Sequence, residues 1–379
     1  MNKSTKAFFA LVRAGLWEDL KVKESSFAFS DSVEWDDVYR LANEQSVLGL
    51  VIAGIDYLPN EQHPPKEQLL QWIGEIQMQE QQNQALNIFV RELVENMRKK
   101  GIYALLLGGQ GVAQCYKRPM WRVSEGVDFL LSKDDYEEAK VYIAKIASPV
   151  ESESVFANRI SYIVGQRVVE LHTSALDSLK KAIQNGMNDV WRSIFNYGDV
   201  RLWVNDGVVV YIPSPNNDVI IAFTRSLRNF CFGGIDLRQI CDLCRLLWVY
   251  RDEIDIKLMK MRLQEMGLMT EWKVFASLMV NWLGMPKEII PFYSDSVFYK
   301  LKANRACTRI LRTGNLNVNA DDSYCSSLSK CKASHITFWH RTSELFGLMT
   351  LFPLDAPIFL FNYLMYKVKM VRDRMMLKL

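Results

Sequence analysis

The sequence predicts an α+β protein in which a small mixed sheet with its own helices, over residues 101–215, sits between helical regions at 1–100 and 216–379. Three observations predict it. Apolar residues in the first hundred positions keep the three-to-four spacing of buried helices. At Gly101 the pattern changes to short apolar runs punctuated by glycine, IYALLL and VDFLL among them, followed by paired strand-like segments. From about Ser214 the helical spacing returns.

The helical elements follow in order. In SVEWDDVYRLANEQSVLGLVIAGI, Ser32 is placed to cap, Glu34, Asp36 and Asp37 fill the first turn, and Val38, Leu41, Ala42, Val47 and Leu48 predict one packed helix. After the turn-rich LPNEQHPPK, Leu69, Trp72, Ile73, Ile76, Leu86, Phe89, Val90, Leu93, Val94 and Met97 trace one apolar stripe. Arg98, Lys99 and Lys100 suit the negative end of that helix, and Gly101 suits a left-handed cap. Beyond residue 215, DVIIAFTRSLRNF, DLRQICDLCRLLWVY, IKLMKMRLQEMG and EWKVFASLMVNWLG read as helices, whereas 315–332, rich in Asn, Ser and Asp, reads as a loop.

The central segment reads differently. IYALLL turns through GGQGVAQCY from a buried strand into a helix, VDFLL is a second strand, and DDYEEAKVYIAKI is an amphipathic helix. RISYIV and RVVELH pair across Gly165-Gln166, and RLWVNDGVVVYIP folds back at Asn205, Asp206 and Gly207.

Composition excludes some functions. A net charge of +3, from 46 basic and 43 acidic residues, is too small for nucleic-acid binding by bulk electrostatics, so an anionic ligand needs a local site. The amino terminus becomes charged too soon for a signal peptide, and seven cysteines are an odd number, which together predict reduced thiols in the cytoplasm. Cys241 and Cys244 form a C-x-x-C on an apolar helix face and are read as buried structural thiols. Cys325, Cys331, His335 and His340 lack the knuckle spacing of a zinc site. The apolar stretch from Phe346 to Tyr366 is broken by Pro353, Asp355 and Pro357, which argues against a spanning helix. Lys367, Lys369, Arg372, Arg374 and Lys378 beside it could touch an anionic membrane, although a solvated basic face is the simpler reading.

The chemistry is expected in LLLGGQGVAQCYKRPMWRVSEGVDFLL, residues 105–131. A strand that opens through glycines into a helix presents backbone N–H groups to a phosphate, and Asp128 on the next strand is placed to hold a divalent metal against it. Here the chain resembles the uncharacterised nucleotidyltransferase-like proteins frequent in Bacteroides-type bacteria, within the DNA polymerase beta superfamily. The resemblance is carried by ANEQSVLGL, residues 105–131, VVELH at 168–172 and FGGIDLRQICDL at 232–243. It implies a nucleotidyltransferase-like sheet and transfer of a nucleoside monophosphate (NMP) from an NTP to an unidentified acceptor, with Mg²⁺ as cofactor.

By that resemblance Asp128 and Glu170 are the catalytic, metal-binding acids, and Gly108, Gly109, Gln110, Arg122 and Ser124 are nucleotide-binding positions. His172 follows Glu170 where the family often has histidine. The chain departs from the family pattern where two acids one residue apart are expected, because Gly126 replaces the first; Gly108 replaces a lysine. Glu125 is the candidate substitute ligand, though a regular strand points it to the opposite face. The alternative function is a catalytically inactive relative that binds a nucleotide or a partner. Each residue also has a purely structural reading: a tight turn at the glycines, an Asp128–Arg122 pair, an exposed strand face for Glu170 and His172, and an ion pair within a helix for Asp236, Arg238 and Asp242.

Overall fold

Two apolar cores and a helix that joins them set the architecture of the described residues. It is described from a computed structural model over residues 2–18, 33–124, 126–149, 159–173, 180–232, 234–314, 348–359, 361–362 and 365. The chain begins with α1 (Lys3–Leu16), capped by Asn2, whose Oδ1 accepts from Thr5 N at 2.8 Å. It packs backbone to backbone on α3 (Leu48–Ile55): a Cβ on Gly15 would lie 2.0 Å from Leu50 O, and one on Gly54 2.2 Å from Leu11 O.

The single helix expected between Ser32 and Ile55 is two. Helix α2 (Trp35–Glu44) ends at Gln45, Ser46 takes φ 55°, and α3 starts afresh. The break has a physical reason. It aims the buried Gln45 amide at two distant backbones, donating to Ile310 O at 3.2 Å and accepting from Leu237 N at 3.0 Å. The N-cap is Glu34, which makes no side-chain cap bond, and Ser32 lies outside the described residues.

Helix α4 (Lys66–Arg98) runs 33 residues and ends as expected, with Gly101 at φ 79°. Its first half, through Trp72 and Ile76, joins a core formed with α1 to α3 and the later helices. Its second half, through Leu86, Val90, Leu93, Val94 and Met97, joins the core beneath the sheet.

Among the described residues the sheet has seven strands, in the order β3-β4-β5-β2-β1-β7-β6. They are β1 (Ala104–Leu107), β2 (Gly126–Leu131), β3 (Ser148–Pro149), β4 (Arg159–Val164), β5 (Arg167–His172), β6 (Val200–Asn205) and β7 (Val208–Pro213). It is mixed: β2 runs parallel to β5 and β1 to β7, and the remaining neighbours are antiparallel. Both expected hairpins form; Asp206 at φ 49° and Gly207 at φ 83° turn the second. Strand alternation sends Val127, Phe129 and Leu131 into the core shared with α4 and with α6 (Lys133–Ile143). Gly126, Asp128 and Leu130 therefore face the other way.

Over that second face lie α5 (Gly109–Ala113) and the carboxy-terminal helices. Of these, α8 (Pro215–Phe232), α9 (Leu237–Val249), α10 (Ile256–Glu265) and α11 (Met269–Leu283) match the expected segments. Helices α7 (Lys181–Tyr197) and α12 (Val297–Thr313) were not foreseen. Cys241 and Cys244 are fully buried free thiols with pKa values raised by burial, as their apolar helix implied. No helix among the described residues is long and apolar enough to cross a membrane. Cys325, Cys331, His335, His340 and the basic residues from Lys367 onward lie outside the described residues.

Candidate functional site

Register places the two predicted acids side by side. Asp128 on β2 is the direct neighbour of Glu170 on parallel β5, with Gly126 opposite Val168 and Leu130 opposite His172. On the far side of β5, Ser161 faces Glu170 and Arg159 faces His172. One sheet face thus carries a row of polar side chains across three strands. One ligand atom each from Asp128, Glu170 and His172 lies within 4.8 Å of the others.

The contacts in the row are specific. Ser161 Oγ donates to Glu170 Oε1 at 3.2 Å, and an Arg159 NH group stands 3.6 Å from Glu170 Oε2. His172 Nε2 is buried 3.3 Å from Glu170 Oε2, and among the described residues it makes no hydrogen bond. Burial by itself would raise the Glu170 pKa. The adjacent His172 ring and the Arg159 and Arg225 charges outweigh it and hold the carboxyl well below its usual range.

Asp128 does not pair with Arg122. Its partner is Arg225, on α8, whose guanidinium donates to Asp128 Oδ2. The same guanidinium hangs over the glycine turn, where a Cβ on Gly108 would be 3.8 Å from it. Gly108 takes φ 58°, ψ −137° and Gly109 φ 47°, values that L side chains rarely adopt, so this strand-to-helix turn needs glycine. The turn lies beside β2: a Cβ on Gly109 would be 3.8 Å from Gly126 O. The helix it opens is only five residues long, so the expected dipole toward a phosphate is small.

The remaining predicted positions are tied into the surrounding structure. Arg122 is buried and bonds Asp242 through Nε at 2.7 Å and an NH group at 2.6 Å, while its other NH group donates to Val123 O and Ser124 Oγ. Gln110 is buried and donates to Asn83 Oδ1 at 2.8 Å; Asn83 in turn donates to Met120 O and Arg122 O. Of the three residues read as an ion pair within a helix, Asp236 and Arg238 do pair at 3.1 Å, but Asp242 belongs to Arg122. Glu125 lies outside the described residues.

Sequence reasoning missed Arg225, Arg159 and Ser161. A signal for Arg225 existed, namely one charge inside the otherwise uncharged IIAFTRSL. Arg159 and Ser161 follow from pairing RISYIV against RVVELH, once the facing side of β5 is known.

The family described as "Uncharacterised nucleotidyltransferase" matches residues 31–284, which is more than half of the chain. The chain belongs to that family. Among solved structures, it is similar to one described as an antigenic nucleotidyltransferase-like protein from Paracoccidioides brasiliensis. Identity is 15%, coverage is 47% of this chain and 85% of that one, and the TM-score is 0.31. No curated protein matches the chain.

The family name raises the question of metal ions. Two-ion phosphoryl chemistry holds its ions about 3.5–4 Å apart with several shared oxygens. Here Asp128, Glu170 and His172 offer donors for one ion, Gly126 offers no side-chain oxygen, and the Arg225 and Arg159 guanidiniums already face the two carboxylates. The described residues do not fit a two-ion centre.

Proposed function

We propose that this member of the family has lost most or all of the transferase reaction its family name implies, NMP transfer from an NTP to an acceptor. In this reading it retains a site for a nucleotide or another phosphate-bearing ligand between the Gly108-Gly109 turn and Asp128. Gly126 carries the reading: it shares a sheet face with Asp128, two residues away, where the family resemblance expects a second metal-binding carboxylate. Losing such a ligand costs orders of magnitude in rate, because nothing then neutralises the transferred phosphate.

The ligand itself would be held by backbone N–H groups of the glycine turn and by the cationic Arg225 above it. Mg²⁺, if it acts here, would take Asp128 and Glu170 as ligands and supply charge neutralisation at the phosphate. The competing reading, an active transferase, requires a further oxygen donor.

Calorimetric titration of ATP, GTP, CTP and UTP, with Mg²⁺ and with EDTA, run beside a pyrophosphate-release assay, tests the proposal. The expected result is nucleotide binding that is indifferent to EDTA, with no pyrophosphate released. Mg²⁺-dependent release that Asp128→Asn abolishes would restore the active enzyme. If no nucleotide binds under either condition, the retained-ligand half of the proposal falls.

A further inference from the structure

Two carboxylates in register on adjacent strands repel one another unless a cation stands between or beside them. In enzymes that use metals the ion supplies that charge. In this chain the protein supplies it. Arg225 projects from a stretch of α8 whose neighbours Phe223, Thr224, Ser226 and Leu227 are all buried, and its guanidinium is bonded to Asp128. Arg159 stands 3.6 Å from Glu170. Leaving His172 aside, the charges of Asp128, Glu170, Arg225 and Arg159 sum to zero before any ligand arrives. The donors themselves remain gathered, and one of them, His172 Nε2, is buried 3.3 Å from Glu170 and makes no hydrogen bond among the described residues.

We infer that Asp128, Glu170 and His172 form a latent single-ion site that Arg225 closes by standing in for the ion. The donor set, two carboxylates and one imidazole, selects Mn²⁺ or Zn²⁺ over Mg²⁺, because imidazole suits the transition ions whereas Mg²⁺ prefers oxygen and retains its water. Opening the site requires the guanidinium to leave Asp128. An anionic ligand over Gly108 is suited to draw it away, since Arg225 already overhangs that turn. The inference concerns the same site as the proposed function but does not depend on whether a nucleotide binds there.

The test contains no nucleotide, so its failure is separable from failure of the proposed function. Mn²⁺, Zn²⁺ and Mg²⁺ are each titrated into the full chain, with free Mn²⁺ read by electron paramagnetic resonance and Zn²⁺ and Mg²⁺ by calorimetry. The variants are Arg225→Gln, His172→Ala and the double variant. Removing the tethered charge should tighten Mn²⁺ binding by about tenfold or more, with a smaller gain for Mg²⁺. Adding His172→Ala to Arg225→Gln should cancel the Mn²⁺ gain. The idea is overturned if Arg225→Gln binds Mn²⁺ no better than the natural chain, or if the gain survives loss of His172. His172→Ala alone, with Arg225 in place, should leave the weak Mn²⁺ binding of the natural chain unchanged. A loss there would show an ion bound beside the guanidinium, which overturns the inference even if Arg225→Gln does not fold.

Discussion

Arg122 and Asp242 meet as two forks inside the protein, Nε to Oδ1 at 2.7 Å and an NH group to Oδ2 at 2.6 Å, with Tyr116 OH donating to Oδ1 at 2.8 Å. Burial would raise the Asp242 pKa, but the Arg122 charge outweighs it and the value is lowered. Removing one partner strands the other as a buried charge. Arg122→Ala should therefore destabilise the chain by about 3–5 kcal/mol, read as a lower urea midpoint. The pair's contribution is present above the unfolded pKa of an aspartate and is lost as pH falls through the lowered folded value. The variant should accordingly show a shallower loss of stability on acidification.

Glu271 on α11 titrates in the opposite sense. It is fully buried, and burial followed by the neighbouring Asp355 raises its pKa to about 8, against an ordinary value of 4.5. Between those values the folded chain holds a proton that the unfolded chain has released, so stability falls as pH rises through the window. Glu271→Gln should flatten that slope, which is expected to span roughly 2–4 kcal/mol. Thermal midpoints from pH 5 to pH 8.5 measure it. An unchanged slope in the variant would assign the titration elsewhere.

Gly126 and Gly108 should respond differently to substitution by a charged side chain. A Cβ on Gly126 would lie 3.0 Å from Val168 O, a contact that a shift of a few tenths of an ångström relieves, and its φ is not positive. Gly126→Asp should fold at a cost of about 1 kcal/mol. Gly108→Lys must hold φ 58°, ψ −137°, which adds roughly 1–3 kcal/mol of strain. Calorimetric unfolding of the two single variants ranks them, and the reverse order would mean that the turn is more pliable than its angles imply.

How much of this was legible follows from how local each feature is. The Asp206-Gly207 turn and the pairing of RISYIV with RVVELH are written in neighbouring residues and formed as read, whereas the single stripe read along α4 divides between two cores and leaves Ile73 exposed. The break at Gln45 was not legible, because its cause is a pair of hydrogen bonds to backbones at Ile310 and Leu237. The site divides along the same line. The family resemblance put Asp128 and Glu170 in one site, but the alternative Asp128–Arg122 pair does not form: Arg122 goes to Asp242 and Asp128 to Arg225, choices fixed by how α8 and α9 lie on the sheet.

Asn83 ties Gln110 to the turn before β2. Its amide serves three partners at once, Gln110 Nε2, Met120 O and Arg122 O. Asn83→Ala should cost about 2–3 kcal/mol by leaving buried polar groups unmet, and Gln110→Ala less. Equilibrium denaturation of both variants checks the ranking.

Helix α4 contributes one half of its length to each apolar core, and at roughly 1.5 Å per residue it is a rod of about 50 Å shared by both. A boundary drawn at Gly101 therefore cuts the polypeptide without separating two independent folding units. A fragment beginning there would surrender Leu86, Val90, Leu93, Val94 and Met97 from beneath the sheet. Melting the helix from either end removes a wall of the opposite core as well. The amides along α4 should then exchange with solvent only through whole-molecule opening, making the helix a cooperativity element rather than a linker.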